Sequence, residues 1–300
     1  MKNIAEKIKA LKKKRNAVIL VHNYQSPEVQ DVADFRGDSL GLSREAAKTS
    51  ADVIVFCGVH FMAETAAILS PDKIVLLPDE NAGCPMADMI DAEQLRELKK
   101  KHPGAAVVCY VNSTAEVKAE SDYCCTSANA VEILSGIEKN EIIFVPDKYL
   151  GSFAAKKAGR EVILYDGYCP VHMKILPEHL VTAKREHPLA KVLVHPECRT
   201  EICDMADEVL STSGMEKFAR SGGSEEMIIG TETGLIYRLQ KANPGKKFYP
   251  ASGGAVCPNM KKTSLEKVLW ALEEMKYEIK VDEKTAKAAR KAIDRMISAG

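Results

Sequence analysis

The sequence has no net charge: forty-two Lys and Arg are balanced by forty-two Asp and Glu. No global field therefore draws the chain onto nucleic acid or an anionic membrane, and any charged ligand must be caught by local donors. A long hydrophobic run is also missing. The opening MKNIAEKIKALKKKRNAVILVHNYQ reads as a charged amphipathic helix followed by a short apolar strand, so neither a signal peptide nor a membrane span is expected, and the cytoplasm is the expected compartment. Nothing reads as a Gly/Ser linker or a low-complexity tract, which argues against independently moving modules. Nine cysteines is an odd number in a chain of 300 residues that needs no staples, so thiols and ligands are expected in place of a disulfide framework. What the chain does have is apolar material, 46% of its residues, enough for a sizeable core.

That material is arranged in three copies of one pattern. Each copy opens with a Lys-rich helix, IAEKIKALKKKRN, AEQLRELKKKHPG or PEHLVTAKREHPL, and the latter two stop at His-Pro. A β-branched strand follows, AVILVHNY, AVVCYVNS or KVLVHPEC, placing His22, Tyr110 and His195 at one equivalent position with intervals of 88 and 85 residues. The same intervals relate Tyr24, Asn112 and Glu197, and again Ser39, Ser127 and Thr212, each hydroxyl preceding an expected helix; Asp34, Asp122 and Asp207 form a further matched row. A second strand recurs as DVIVFCG, EIIFVPD and EMIIGTE, and a third as KIVLLPD, EVILYDG and KKFYPAS. Each copy closes on Cys-Pro, at Cys84, Cys169 and Cys257.

Strands alternating with helices imply parallel three-layer α/β/α sandwiches, whose ligands bind beyond the carboxyl ends of the strands. The expected architecture is three such units around a pseudo-threefold axis with the active site at the centre. The units span 1–87, 88–172 and 173–260. Residues 261–300 should then add a helix, a strand at YEIKV and a second helix, packing back on the first unit.

Cys57 and Cys109 sit inside apolar strands and read as buried core thiols. Cys84, Cys169 and Cys257 lie in the loops NAGCPM, DGYCPV and GGAVCPN, where three thiolates can converge on one metal site. Structural zinc wants four ligands, usually from short paired spacings that are missing here. A four-iron, four-sulfur cubane fits better, three thiolates leaving one iron open as a Lewis acid. Cys198 and Cys203 have no counterparts in the other copies and read as surface or redox-labile thiols, and Cys124 and Cys125 carry no assignment.

HNYQ at 22–25, EVQDVADFRGDSL at 28–40, FMAETA at 61–66, CPMADM at 84–89, YVNSTAE at 110–116, TSANAV at 126–131, HPEC at 195–198 and the three Cys-Pro loops, in this order, resemble quinolinate synthases from end to end. The resemblance implies condensation of iminosuccinate, made by aspartate oxidase, with dihydroxyacetone phosphate to give quinolinate, phosphate and water on the route to NAD. It implies the same threefold fold and three-cysteine 4Fe-4S cluster. It carries substrate contacts to His22, Ser39, Tyr110, Asn112, Ser127, His195, Glu197 and Thr212. Some members have C-x-x-C-x-x-C near the third ligand, whereas PNMKKT follows Cys257 here, so a thiol switch built on that motif is absent.

Glu197, two residues beyond His195, is the candidate general base, Tyr24 an acid/base partner, and Tyr110 and His195 complete the catalytic set. The imidazoles of His22 and His195 suit carboxylates and developing oxyanions. Ser39, Ser127 and Thr212 each precede an expected helix, where a hydroxyl and exposed N–H groups make an anion site. Each of these residues also has an ordinary structural reading, as a packed strand end, a solvated loop or a simple cap. GDSL at 37–40 matches a serine-hydrolase signature, but such enzymes need a late histidine, and none follows His195. An aconitase-type hydro-lyase and a non-enzymatic iron-sulfur sensor are the rival readings. The glycine-rich ARSGGSEE at 219–226 is either a lid or an ordinary surface turn.

Overall fold

A computed structural model describes residues 2–222 and 224–299. The first unit runs α1 (Lys2–Lys14), β1 (Ala17–His22), α2 (Pro27–Asp31), β2 (Phe35–Gly37), α3 (Ser39–Lys48), β3 (Val53–Cys57), α4 (His60–Leu69) and β4 (Ile74–Leu76). The second continues with α5 (Ala92–Lys101), β5 (Ala106–Tyr110), α6 (Ala115–Ala119), β6 (Tyr123–Cys125), α7 (Ala130–Ser135), β7 (Ile142–Val145), α8 (Lys148–Ala158) and β8 (Ile163–Leu164). The third, after a 3-10 turn at His172–Lys174, has α9 (Pro177–Glu186), β9 (Lys191–Val194), α10 (Thr200–Asp204), β10 (Glu208–Val209), α11 (Thr212–Arg220), β11 (Glu226–Gly230), α12 (Gly234–Ala242) and β12 (Lys247–Pro250). A 3-10 turn at Met260–Lys262 leads to α13 (Leu265–Glu274) and α14 (Glu283–Ser298).

Three four-stranded sheets result, ordered β2-β1-β3-β4, β6-β5-β7-β8 and β10-β9-β11-β12, every pair parallel. Their central strands are continuous apolar runs because both faces are covered. Leu20 packs with Leu42 of α3 and Ala63 of α4, while its neighbours Ile19 and Val21 pack with Ile8 of α1 and Val268 of α13. In the third unit Val192 and Val194 face Leu180 of α9 and Ile202 of α10, and Leu193 faces Met215 of α11 and Leu239 of α12.

The sequence pattern leads to three strands per copy, and the structure has a fourth. β2, β6 and β10 span three residues at most, too few for periodicity to register, and each is set in place by the matched aspartate. Asp34 Oδ2 accepts from the backbone N–H of Ile19 and its own N–H donates to the Ile19 carbonyl, at 2.8 and 3.0 Å. Asp122 does the same with Val107 (2.8 and 3.0 Å) and Asp207 with Val192 (2.8 and 2.9 Å). This row is structural. It clamps the edge strand to its neighbour in all three copies.

The YEIKV strand also needs correction. Glu278 makes only an isolated antiparallel bridge to Leu76, with Ile279 N–H donating to the Val75 carbonyl at 2.8 Å. Tyr277 has a positive φ of 63°, which breaks the extended run before a strand can form. Helix α13 lies on α1 and β3, whereas α14 packs against α3 and α4 and also against α6 and β6 of the second unit. It buries Ala289, Ala292, Ile293 and Met296 at helical spacing, and Ile293 and Met296 alone contribute roughly 1.5–3 kcal/mol each. Its last carbonyls are satisfied from both units: Arg44 donates to Ile297 and Ala299 at 2.9 and 2.8 Å, and Asn129 donates to Met296 at 2.9 Å.

No helix among the described residues is long and apolar enough to cross a membrane. In the glycine-rich segment α11 ends at Arg220 and β11 begins at Glu226; Gly223 lies outside the described residues.

Candidate active site

One cavity takes in His22, Tyr24, Ser39, Tyr110, Asn112, Ser127, His195, Glu197 and Thr212 together with Cys84, Cys169 and Cys257, so every site residue expected from the sequence lines the same space. The strand ends deliver them: His22 closes β1, Tyr110 closes β5, and His195 follows β9 directly.

The three cysteine turns share one geometry. Residue +4 donates its backbone N–H to the cysteine carbonyl in each, Asp88 to Cys84 at 3.3 Å, Met173 to Cys169 at 3.2 Å and Lys261 to Cys257 at 3.2 Å. Proline at +1 has no N–H, so the first donors that can reach each sulfur come from +2 and +3. They are Met86 and Ala87 for Cys84, His172 for Cys169, and Asn259 and Met260 for Cys257. Burial pushes the Cys84 thiol up to about 12, lifts Cys169 well above the usual thiol range and raises Cys257 as well. Three half-buried sulfurs with N–H donors aimed at them and thiol pKa values raised by their surroundings are poor free thiols, and a bound cation that balances their charge favours the ionised form. That donor set fits an iron-sulfur cluster or another thiophilic metal centre.

Glu197 is the hub of the remaining polar groups. It is 3% exposed. The Tyr110 hydroxyl donates to its Oε1 at 2.6 Å, and Asn112 Nδ2 does so at 3.4 Å. Its Oε2 lies 2.7 Å from His172 Nδ1, off the axis of a straight hydrogen bond. Burial opposes ionisation of Glu197, while the His172 and His195 imidazoles and the Tyr110 hydroxyl favour it and hold the carboxyl below the usual range. The opposite holds for the tyrosines, since burial and the Glu197 charge keep Tyr24 and Tyr110 protonated well above the usual phenol range.

Backbone amides set the histidine tautomers. Nδ1 of His22 accepts from the Tyr24 N–H at 3.2 Å and Nδ1 of His195 from the Glu197 N–H at 3.3 Å, the same contact two residues on in both copies. Each Nε2 is then the proton-bearing nitrogen, and that of His195 donates to Ser127 Oγ at 3.0 Å. Burial lowers both imidazoles to about 3, so both are neutral donors near pH 7.

The hydroxyl row is placed differently from the capping role that the sequence suggests. Asp38 and Ser211 are the caps, accepting from Gly41 N–H at 2.8 Å and Gly214 N–H at 3.1 Å. Ser39 and Thr212 are therefore the first residues inside α3 and α11, with hydroxyls released from capping duty; Thr212 Oγ1 accepts from the Asn23 amide at 3.0 Å. Ser127 sits in a turn closed by Asn129 Oδ1, which accepts from the Thr126 N–H at 2.9 Å. Among the described residues no imidazole is hydrogen-bonded to Ser39, as a GDSL hydrolase would require.

His172 and Thr231 escaped the sequence reading. Thr231 Oγ1 lies 2.6 Å from the Tyr24 hydroxyl and 2.8 Å from His172 Nε2, so one polar chain runs Tyr24, Thr231, His172, Glu197, Tyr110, hydrogen-bonded except at the off-axis 2.7 Å contact between His172 and Glu197. The only sequence signal for His172 is its position three residues after Cys169, and neither His172 nor Thr231 was among the matched rows. Cys198 needs correction: it is buried, with its thiol donating to the Gly230 carbonyl at 3.4 Å and raised by burial, so it is not a surface thiol, whereas Cys203 is partly exposed, its thiol pushed up to about 12. Cys57 and Cys109 are core thiols, as their strands suggest, and Cys124 and Cys125 are buried on β6.

Residues 6–298 match the family model described as Quinolinate synthetase A protein. Relatives named quinolinate synthase include one from Dehalococcoides mccartyi strain CBDB1, 57% identical, with 98% of this chain and 97% of the relative covered. Another, from Thermodesulfovibrio yellowstonii, is 56% identical at the same coverage, and one from Methanosarcina barkeri is 54% identical, again over 98% of this chain and 97% of the relative. With its strand-end cluster and its three Cys-Pro turns opening on one cavity, the chain belongs to the quinolinate synthase family, enzymes that form quinolinate.

Proposed function

We propose that the chain condenses iminosuccinate with dihydroxyacetone phosphate to give quinolinate, phosphate and water, in the cytoplasm, downstream of an aspartate oxidase and on the route to NAD. The observation that carries this reading is the convergence of three identical Cys-Pro turns on the cavity that also holds Glu197. Cys84, Cys169 and Cys257 hold a 4Fe-4S cluster at the meeting point of three pseudo-threefold units. When bound, the cluster supplies Lewis acidity at its open iron.

The protein groups bind, orient and move protons. Both substrates are anions, and a chain of zero net charge meets them with the Ser39 and Thr212 hydroxyls at helix N-termini, Ser127, and the neutral Nε2–H groups of His22 and His195. Asn112 and Tyr110 fix the Glu197 carboxylate, which is ionised and takes the protons released as the ring forms. Tyr24 stays protonated to low acidity and donates, and Thr231 and His172 return the proton from the Glu197 side. Aromatisation drives the sequence, so orientation is the main task of the scaffold.

The test is anaerobic. Protein reconstituted with iron and sulfide is given dihydroxyacetone phosphate and freshly generated iminosuccinate, and quinolinate is measured by mass spectrometry. Product that disappears in Cys84→Ser, Cys169→Ser or Cys257→Ser is the expected result. Full activity in any of these variants overturns the ligand assignment, and absence of product from protein that carries its cluster overturns the reaction.

A further inference from the structure

Cys169 and His172 stand three residues apart on one turn, and Glu197 reaches them from the end of β9. A sulfur, an imidazole nitrogen and a carboxylate oxygen from these three residues all lie within 4.8 Å of one another. His172 and Glu197 are buried, to 1% and 3% exposure, and Cys169 is half-buried. His172 Nδ1 makes no straight hydrogen bond although the Glu197 carboxylate is 2.7 Å away, so a buried ring nitrogen is left with its in-plane direction unused.

Each donor is also held from behind. Thr231 holds His172 Nε2 at 2.8 Å, Tyr110 and Asn112 hold the other oxygen of Glu197, and the His172 N–H supports the Cys169 sulfur. Partners of this kind fix tautomer and ring orientation at metal sites. One thiolate, one imidazole and one carboxylate, with the fourth position left to water, is a donor set that suits a zinc-like divalent ion, with bonds of about 2.0–2.3 Å.

We propose that the chain, when free of its cluster, holds a single divalent zinc ion on Cys169, His172 and Glu197. Binding releases the thiol proton of Cys169 to solvent, while the His172 ring keeps its proton on Nε2, against Thr231, and presents Nδ1 to the metal. Cys169 cannot serve this ion and a cluster together, so the two occupants exclude each other. Zinc supply then sets the fraction of newly made chain open to cluster assembly. Only the availability of Cys169 is required, so the inference can stand or fall apart from the identity of the reaction product.

The experiment uses the full chain purified without iron under anaerobic conditions and titrated with cobalt(II), whose thiolate charge-transfer band reports a Co–S bond, followed by displacement with zinc. One equivalent should bind. Cys84→Ser and Cys257→Ser should bind within a factor of about 3 of the parent, H172Q and E197Q about 10–100-fold more weakly, and T231V about 10-fold more weakly through loss of the outer partner. Circular dichroism checks that each variant is folded, and E197Q decides if H172Q is not. Loss of binding in Cys84→Ser or Cys257→Ser as complete as in Cys169→Ser would mean a three-thiolate site and overturn the proposal, as would unchanged binding in E197Q.

Discussion

The Lys261 ammonium lies 2.9 Å from the fully buried carboxylate of Glu232. It also donates to the carbonyl of Tyr24, while Glu232 accepts from the backbone N–H of Cys257 at 3.1 Å and of Gly234 at 2.7 Å. A Cβ at position 234 would stand 2.8 Å from both partners of the pair, so only glycine leaves the tie intact. One ion pair thus joins the third cysteine turn to the chain segment that carries Tyr24.

Removing one member should cost more than removing both. Lys261→Met leaves Glu232 buried without its counter-charge and should lower stability by roughly 2–3 kcal/mol, whereas the double variant with E232Q recovers part of that loss. Urea denaturation of the single and double variants measures this, and a purely additive cycle would show that the charges do not interact.

His22 and His195 are held near 3, below the 6.5 of an exposed imidazole, so the folded chain binds fewer protons than the unfolded one across that interval. Their contribution is intact above about pH 6.5 and is lost as pH falls toward 3, at about 1.4 kcal/mol per pH unit for each histidine. Denaturation of the cluster-free protein at pH 7.5 and 5.5 should show the loss. His195→Asn should make the dependence shallower.

Asn23 donates to Thr212 across the boundary between the first and third units at full burial. Asn23→Ala frees the Thr212 hydroxyl to rotate and should raise KM about 5-fold with a smaller change in kcat, the worth of one oriented hydrogen bond. Steady-state kinetics with each substrate varied in turn checks it.

Tyr24→Phe removes the hydroxyl at one end of the polar chain and E197Q the carboxylate toward its other end. If both ends move the same protons, each variant should lose about 100-fold or more in kcat, and the double variant should lose little beyond either one. Multiplicative losses would show that the two ends act in separate steps.

The sequence exposed what is repeated and what is long. His22, Tyr110 and His195 were legible because identical spacing puts them at identical strand ends, and the Cys-Pro turns because cysteine is rare and falls once per copy. β2, β6 and β10 were not, since an edge strand of three residues has no period to detect. The capping assignment slipped by one position because Asp38 and Ser39, like Ser211 and Thr212, are both able to cap, and only backbone geometry selects between them. His172 and Thr231 belong to single copies, so comparison of the repeats passes over them.

The aspartate clamp separates two kinds of information in this chain. Asp34, Asp122 and Asp207 hold each sheet edge through the same pair of bonds, away from the cavity, while the strand ends of the same units carry His, Tyr and His. The three copies therefore share a frame yet differ in the chemistry mounted on it. An engineer could rewrite the mounted residues of one copy and leave the instructions for its folding untouched.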